Sequence, residues 1–82
     1  MKQLIDITPD QARRMLATYK GKHLPDRDKV ERFKRMICSG LWNAKRHTRI
    51  LMIKGELKNG KHRLTAIAES GQTVTIKLQD ES

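Results

Sequence analysis

The sequence predicts a small α/β or α+β domain in which about three helices accompany a small mixed sheet. Apolar residues recur at helical spacing in three segments, and these are interleaved with four short strand-like segments. The chain has 82 residues, which is the length of one domain. Because we find neither a linker nor an internal repeat, we expect residues 1–82 to form a single domain.

The first two elements are a strand over residues 1–7 and a helix that follows it directly. Thr8 can cap this helix, Pro9 suits its first position, and Gln11 stands three residues after the cap. We expect the helix to end before Gly21. Its buried side should consist of Ala12, Met15, Leu16 and its last residue, Tyr19.

A second helix of about a dozen residues should begin at a cap formed by Asp26 or Asp28 and end at Gly40. Cys38 lies in the hydrophobic stretch of this helix, so we expect it to be a buried structural cysteine. Trp42, just beyond the helix, is expected to pack in the core. The apolar stripe of the helix is Val30, Phe33, Met36, Ile37 and Leu41.

The second half of the chain alternates strands with one helix. Asn59-Gly60 breaks the chain before that helix, and Gly71 should end it. The predicted elements are a strand over 49–53, a turn over 54–55, a return strand over 56–58, a helix over 61–70 and a final strand over 73–78.

Composition excludes a membrane protein and favours the cytoplasm. The longest aliphatic run, Ile50–Ile53, is far shorter than the roughly 20 residues of a membrane span. We expect no secretory signal, since residues 1–10 hold two Asp and no long apolar stretch. With Cys38 alone, no internal disulfide can form, which agrees with a reducing compartment.

Positive charge is concentrated in the middle of the chain. The formal net charge is +9, and residues 11–63 alone carry 16 Lys and Arg residues against 4 acidic ones. Such a region is typical of proteins that bind polyanions, although a solvated charged surface has the same pattern. A face of this kind would bind nucleic acid through its backbone, with little sequence preference. The residues predicted to form it are Arg27, Lys29, Arg32, Lys34, Arg35, Lys45, Arg46 and Arg49.

The segment Asn59-Gly60-Lys61-His62-Arg63 is the strongest candidate for a binding site. It forms a glycine-containing loop that opens a helix, with three potential cations in the first turn. Cations are poorly placed at a helix N-terminus, but a bound phosphate would reverse that penalty. The alternative is an ordinary turn before a helix, with solvated basic side chains.

The segment from about Phe33 to Leu78 resembles ParB/sulfiredoxin-like domains, especially the small ParB-like proteins of bacteriophages and mobile elements. The helix before it, which should begin after Thr8, fits these domains in character only. The matching motifs are Met36–Trp42, Gly55–Ala66, Glu69–Gly71 and the strand Val74–Leu78.

The resemblance implies a phosphate-binding role for Gly60, His62 and Arg63. In this family the loop holds nucleotide phosphates, so the resemblance adds ATP or CTP as a candidate ligand. Lys61 stands where sulfiredoxins hold their catalytic cysteine, so sulfiredoxin activity is not expected. Partition ParB proteins continue into further DNA-binding and dimerisation domains, and we do not expect partition-site recognition here.

The favoured hypothesis is a module, of phage or plasmid type, that binds DNA without sequence specificity. A second hypothesis is an NTP-dependent phosphohydrolase or weak nuclease using the same loop, with Asp6, Glu56 and His62 as candidate metal ligands or bases. A third is a non-enzymatic inhibitor or adaptor that binds a host protein. Structural zinc is not expected, because His23, His47 and His62 lack the spacing of a zinc site.

Overall fold

The computed structural model describes residues 2–21, 25–40, 42 and 50–81. Within these residues the protein has three helices and a four-stranded mixed sheet, which confirms the predicted α+β class. None of the described helices has the length and hydropathy needed to cross a membrane. The elements are β1 (Lys2–Ile7), α1 (Pro9–Ala17), α2 (Arg27–Cys38), β2 (Ile50–Ile53), β3 (Glu56–Asn59), α3 (Lys61–Ser70) and β4 (Val74–Glu81).

The sheet has the order β1-β4-β2-β3, so the last strand of the chain lies in its interior. Strand β4 is antiparallel to β1 and parallel to β2, whereas β2 and β3 form an antiparallel hairpin. The prediction that the final strand stops at Leu78 was wrong by three residues. The pairing of β4 with β2 continues to Ile53 opposite Glu81. Backbone hydrogen bonds between the strands keep these last residues in the sheet, although they are polar and lack the alternation of apolar residues that predicts a strand.

Helix α1 begins as predicted but ends earlier than predicted. Thr8 and Gln11 form the expected capping box, with hydrogen bonds of 3.1 and 2.9 Å. The helix stops at Ala17 because the Thr18 hydroxyl donates to the Met15 carbonyl (2.6 Å) and accepts from the Leu57 amide (2.9 Å). The end of α1 is thereby fixed to β3, and the helix does not continue to Tyr19 as predicted.

Helix α2 is capped by Asp26, whose side chain accepts from the Asp28 amide at 3.0 Å. Its C-cap is Ser39, and Gly40 follows with a left-handed φ of +76°. The expectation that Cys38 is buried was wrong, since its side chain is exposed. Ile37 faces the core. Because consecutive side chains on an α-helix point about 100° apart, Cys38 points away from it. Leu41, the predicted end of the apolar stripe, lies outside the described residues.

Helix α3 lies between α1 and α2 and contributes the centre of the core. Leu64, Ala66 and Ile67 are fully buried in it. Trp42 packs against this core as expected, in edge-to-face contact with Phe33, and its indole N–H donates to the Thr75 carbonyl at 3.1 Å. The other buried residues are Ile7, Ala12, Val30, Ile37, Ile50, Leu57, Val74 and Ile76.

An ion-pair cluster joins α2 to α3. The Arg27 guanidinium donates to both carboxylate oxygens of Glu69, at 2.7 and 2.9 Å, and the Lys34 ammonium donates to one of them at 3.2 Å. The hydrogen bonds from Arg27 lower the pKa of Glu69 to about 2, with a further contribution from Lys34. Because the pairs join residues 35 and 42 positions apart, they connect the two helices in addition to the apolar side chains that both helices contribute to the core.

We expect Glu69→Gln to destabilise the protein and to remove part of its acid sensitivity. A carboxyl whose folded pKa lies below its unfolded value stabilises the fold above about pH 4.5, and this contribution is lost as the pH falls toward 2. Urea unfolding of both proteins between neutral pH and pH 2 measures the difference. Glu31→Gln is the matched control, because Glu31 pairs with Arg27 and Lys34 within α2 alone. Equal losses in the two variants would contradict a role in joining the helices.

Candidate anion-binding site

The connection between β3 and α3 is built on a close backbone contact. Gly60 is the N-cap of α3 and has φ +106°, a conformation that side chains with a Cβ rarely adopt. A Cβ on Gly60 would lie 2.8 Å from Cγ1 of the fully buried Ile50. The Leu64 amide donates to the Gly60 carbonyl at 3.0 Å, which closes the first turn. Only glycine therefore fits between the loop and β2.

The first turn of α3 contains Lys61, His62 and Arg63 and no acidic residue. Gly60 has no side chain that could cap the helix. Each cation at this end of a helix costs roughly 0.3–1 kcal/mol in an exposed setting. The sequence thus forms a helix start whose electrostatics suit a bound anion better than solvent.

Arg63 is half-buried and packs on an aromatic ring. Its guanidinium carbon lies 5.0 Å from the centroid of the Phe33 ring. Its Nε atom is buried and has no hydrogen-bond partner among the described residues. Burial lowers the pKa of Arg63, since the charged form loses hydration. The side chain is held in place by packing while part of its hydrogen-bonding capacity is unused.

His62 stands in a positively charged environment. Its pKa is lowered first by burial, and then by the charges of Lys61, Lys29 and Arg63, against an opposing effect of Asp26. The imidazole is therefore neutral near pH 7, and a nearby anion would favour its protonation.

Two grooves flank the loop and share part of their lining. The first, of about 250 Å³, also contains Tyr19 and Lys61, and we call it the Tyr19 groove. The second, of about 350 Å³, lies toward α2, and we call it the Phe33 groove. The residues common to both are Asn59, His62 and Arg63. Those found only in the Tyr19 groove are Tyr19, Leu57, Lys58, Gly60 and Lys61. Those found only in the Phe33 groove are Lys29, Arg32 and Phe33.

All five residues of the predicted loop line these grooves, and two of the predicted basic residues of α2, Lys29 and Arg32, join them. Arg27 and Lys34 instead form ion pairs with Glu69. Arg35, in the last turn of α2, lines neither groove. The remaining predicted members of the basic face, together with two histidines considered above, lie outside the described residues: Lys45, Arg46, Arg49, His23 and His47.

Tyr19 and Phe33 pack against the core as predicted, and they also line the grooves. Both are partly buried, and a cation lies against each ring. The Lys61 ammonium is 5.1 Å from the Tyr19 centroid and 3.3 Å from its hydroxyl. Lys29 and Phe33 are four residues apart, about one helical turn. This spacing alone could have predicted that the Phe33 ring borders the basic side of α2.

The candidate metal ligands Asp6, Glu56 and His62 are not brought together. Strands β1 and β3 form opposite edges of the sheet, so Asp6 and Glu56 are separated by three strand spacings, about 14 Å. Asp6 accepts from the Thr75 hydroxyl, and Glu56 pairs with Lys20 and Lys58. The part of the chain that the structure describes holds no group of three His, Cys, Asp or Glu side chains suited to a metal ion.

Comparisons with known proteins place the chain in no group: neither protein-family models, nor curated proteins, nor solved structures gave a match. The resemblance to ParB/sulfiredoxin-like domains stays a prediction.

We expect Gly60→Ala to destabilise the protein more than Gly71→Ala. Both glycines have left-handed φ values, +106° and +72°, so each substitution carries a backbone cost of roughly 1–2 kcal/mol. A Cβ at Gly71 meets nothing within 4 Å, whereas at Gly60 it meets Ile50 and adds about 1–3 kcal/mol of overpacking. Urea unfolding followed by Trp42 fluorescence measures both values, and equal losses would show that the contact with Ile50 is unimportant.

We also expect acidification below pH 6.5 to destabilise the protein through His62. A histidine whose folded pKa is lowered takes up its proton more readily in the unfolded chain, so stability falls as the pH drops through this window. Unfolding free energies at pH 7.5 and 5.5 should therefore differ less in His62→Gln than in the original protein. An unchanged difference would contradict the assigned environment of His62.

Proposed function

We propose that this protein binds the phosphate backbone of nucleic acid, with DNA as the favoured ligand and with little sequence preference. The binding surface consists of the loop before α3 and the adjoining side of α2. The cations concerned are Lys29, Arg32, Lys61, His62 when protonated, and Arg63.

One observation carries this proposal: two separate elements bring uncompensated cations to the same groove. Lys29 and Arg32 from α2 line the Phe33 groove together with Arg63 from α3. No ion pair among the described residues engages any of the three, whereas Arg13, Lys20, Arg27, Lys34 and Lys58 all pair with carboxylates. Clustered cations without acidic partners repel one another, and a polyanion removes that repulsion.

The aromatic contacts favour the backbone over the bases as the ligand. The Phe33 ring is in contact with Arg63 and with Trp42, and the Tyr19 ring is in contact with Lys61. Rings engaged in this way are poor platforms for base stacking. Phosphate contacts position a protein on nucleic acid without reading its sequence. The role implied for Gly60, His62 and Arg63 by the family resemblance agrees with this proposal.

We expect labelled DNA to bind with an affinity that falls steeply with salt, at a slope of log affinity against log salt of about −3 or steeper. Fluorescence anisotropy at several salt concentrations measures it. Arg63→Ala should weaken binding by about 1.5–3 kcal/mol, the size of a hydrogen bond to a charged group.

The matched control is Arg14→Ala, which removes the same charge from an exposed position on α1. It should leave the affinity nearly unchanged. Since Arg63 packs on Phe33, circular dichroism must show that the variant is folded, and Arg63→Lys, which keeps the charge, should bind better than Arg63→Ala. Absence of DNA binding at low salt would overturn the proposal, and titration with ATP and CTP would then test the nucleotide hypothesis.

A further inference from the structure

We propose that a nucleic-acid strand crosses the loop so that adjacent phosphates are bound on both of its sides. One phosphate lies in the Phe33 groove, the next lies in the Tyr19 groove, and Arg63 stands between them. This inference rests on the proposed function and specifies its ligand: a phosphodiester strand with at least two consecutive phosphates.

The shared lining of the grooves is the first support. Asn59, His62 and Arg63 border both grooves, so the two grooves adjoin at these residues. A ligand that contacts these residues can reach both grooves. A single phosphate would contact the cations of one groove only.

Each groove also has a cation of its own that the other lacks. Lys29 and Arg32 belong to the Phe33 groove, and Lys61 belongs to the Tyr19 groove. The two sets come from different helices, so their spacing is fixed by the packing of α2 on α3. Two fixed positive positions with a third between them suit a chain of anions better than one compact anion.

The two grooves differ in whether their cations already have hydrogen-bond or ion-pair partners within the protein. Lys29 and Arg32 have no carboxylate partner among the described residues, whereas Lys61 donates to the Tyr19 hydroxyl and Lys58 pairs with Glu56. We therefore infer that the Phe33 groove binds its phosphate more tightly. The Tyr19 groove adds affinity only when a second phosphate is covalently linked to the first.

The test compares two short ligands, thymidylyl-thymidine, which has one phosphate, and the thymidine trinucleotide, which has two. Each competes at low salt with a longer labelled oligothymidylate. For the original protein, the second phosphate should improve competition about tenfold, the factor that corresponds to one hydrogen bond to a charged group.

Variants that each remove one positive charge show which groove binds which phosphate. In Lys61→Gln the gain from the second phosphate should fall below about threefold, and Lys61→Arg should restore it. In Lys29→Gln both short ligands should compete more weakly. Each of the two Gln variants should also reduce the salt slope for the long single strand by about 0.7. Lys77→Gln is the matched control and should change neither measurement. Its strand neighbours Ile76 and Leu78 pack in the core, so Lys77 lies on the other face of the sheet, opposite the exposed Leu4 of β1.

The outcomes separate this inference from the proposed function. If the long strand binds with a steep salt slope but Lys61→Gln behaves like Lys77→Gln, the two-groove path is overturned and the proposed function stands. If the long strand does not bind at low salt but duplex DNA does, the two-groove path is overturned and the proposed function stands. If neither binds, both are overturned. A tenfold gain that depends on Lys61 supports both.

Discussion

The close approach of Gly60 to Ile50 is the contact on which the candidate site depends. Ile50 is fully buried at the start of β2, and the backbone of Gly60 packs directly against it. This contact seats the N-terminus of α3 on the sheet, and the left-handed conformation of Gly60 turns the chain from β3 into the helix. The three basic residues that follow are therefore held at one fixed edge of the molecule.

A second constraint aligns α2 with that edge. Glu69, near the C-terminal end of α3, holds Arg27 and Lys34. These two basic residues connect α2 to α3. Their neighbours Lys29 and Arg32 line the Phe33 groove. The basic side of one short helix thus has two roles: Glu69 pairs with part of it, while Lys29 and Arg32 form no ion pair within the described part of the chain.

The site combines features that are unfavourable to the isolated domain. Cations stand at the N-terminus of α3, the pKa of His62 is lowered, and Arg63 Nε is buried without a described partner. A buried donor left unsatisfied costs about 1–3 kcal/mol. Such local costs persist where the surrounding structure fixes them, and they are typical of sites where a ligand supplies the missing interactions.

Local interactions made most of the fold predictable from the sequence. The capping box of Thr8 and Gln11, the hairpin turn at Lys54 and Gly55, and the bounds of α3 between Gly60 and Gly71 all depend on residues close together in the chain. The sequence also identified the five loop residues as a candidate site, because a glycine followed by clustered cations is a local pattern. These features are decided within a few residues, where helix caps and turn conformations act.

Tertiary structure alone decided the features that depend on distant residues. The end of α1 is set by a hydrogen bond from Leu57 to Thr18, and β4 extends to Glu81 because β2 pairs with it. The sequence likewise determined that Lys29, Arg32 and Arg63 are basic, but not that they share a groove. That depends on how α2 packs on α3, which is fixed by side chains more than 30 positions apart, and no local periodicity reports on such packing.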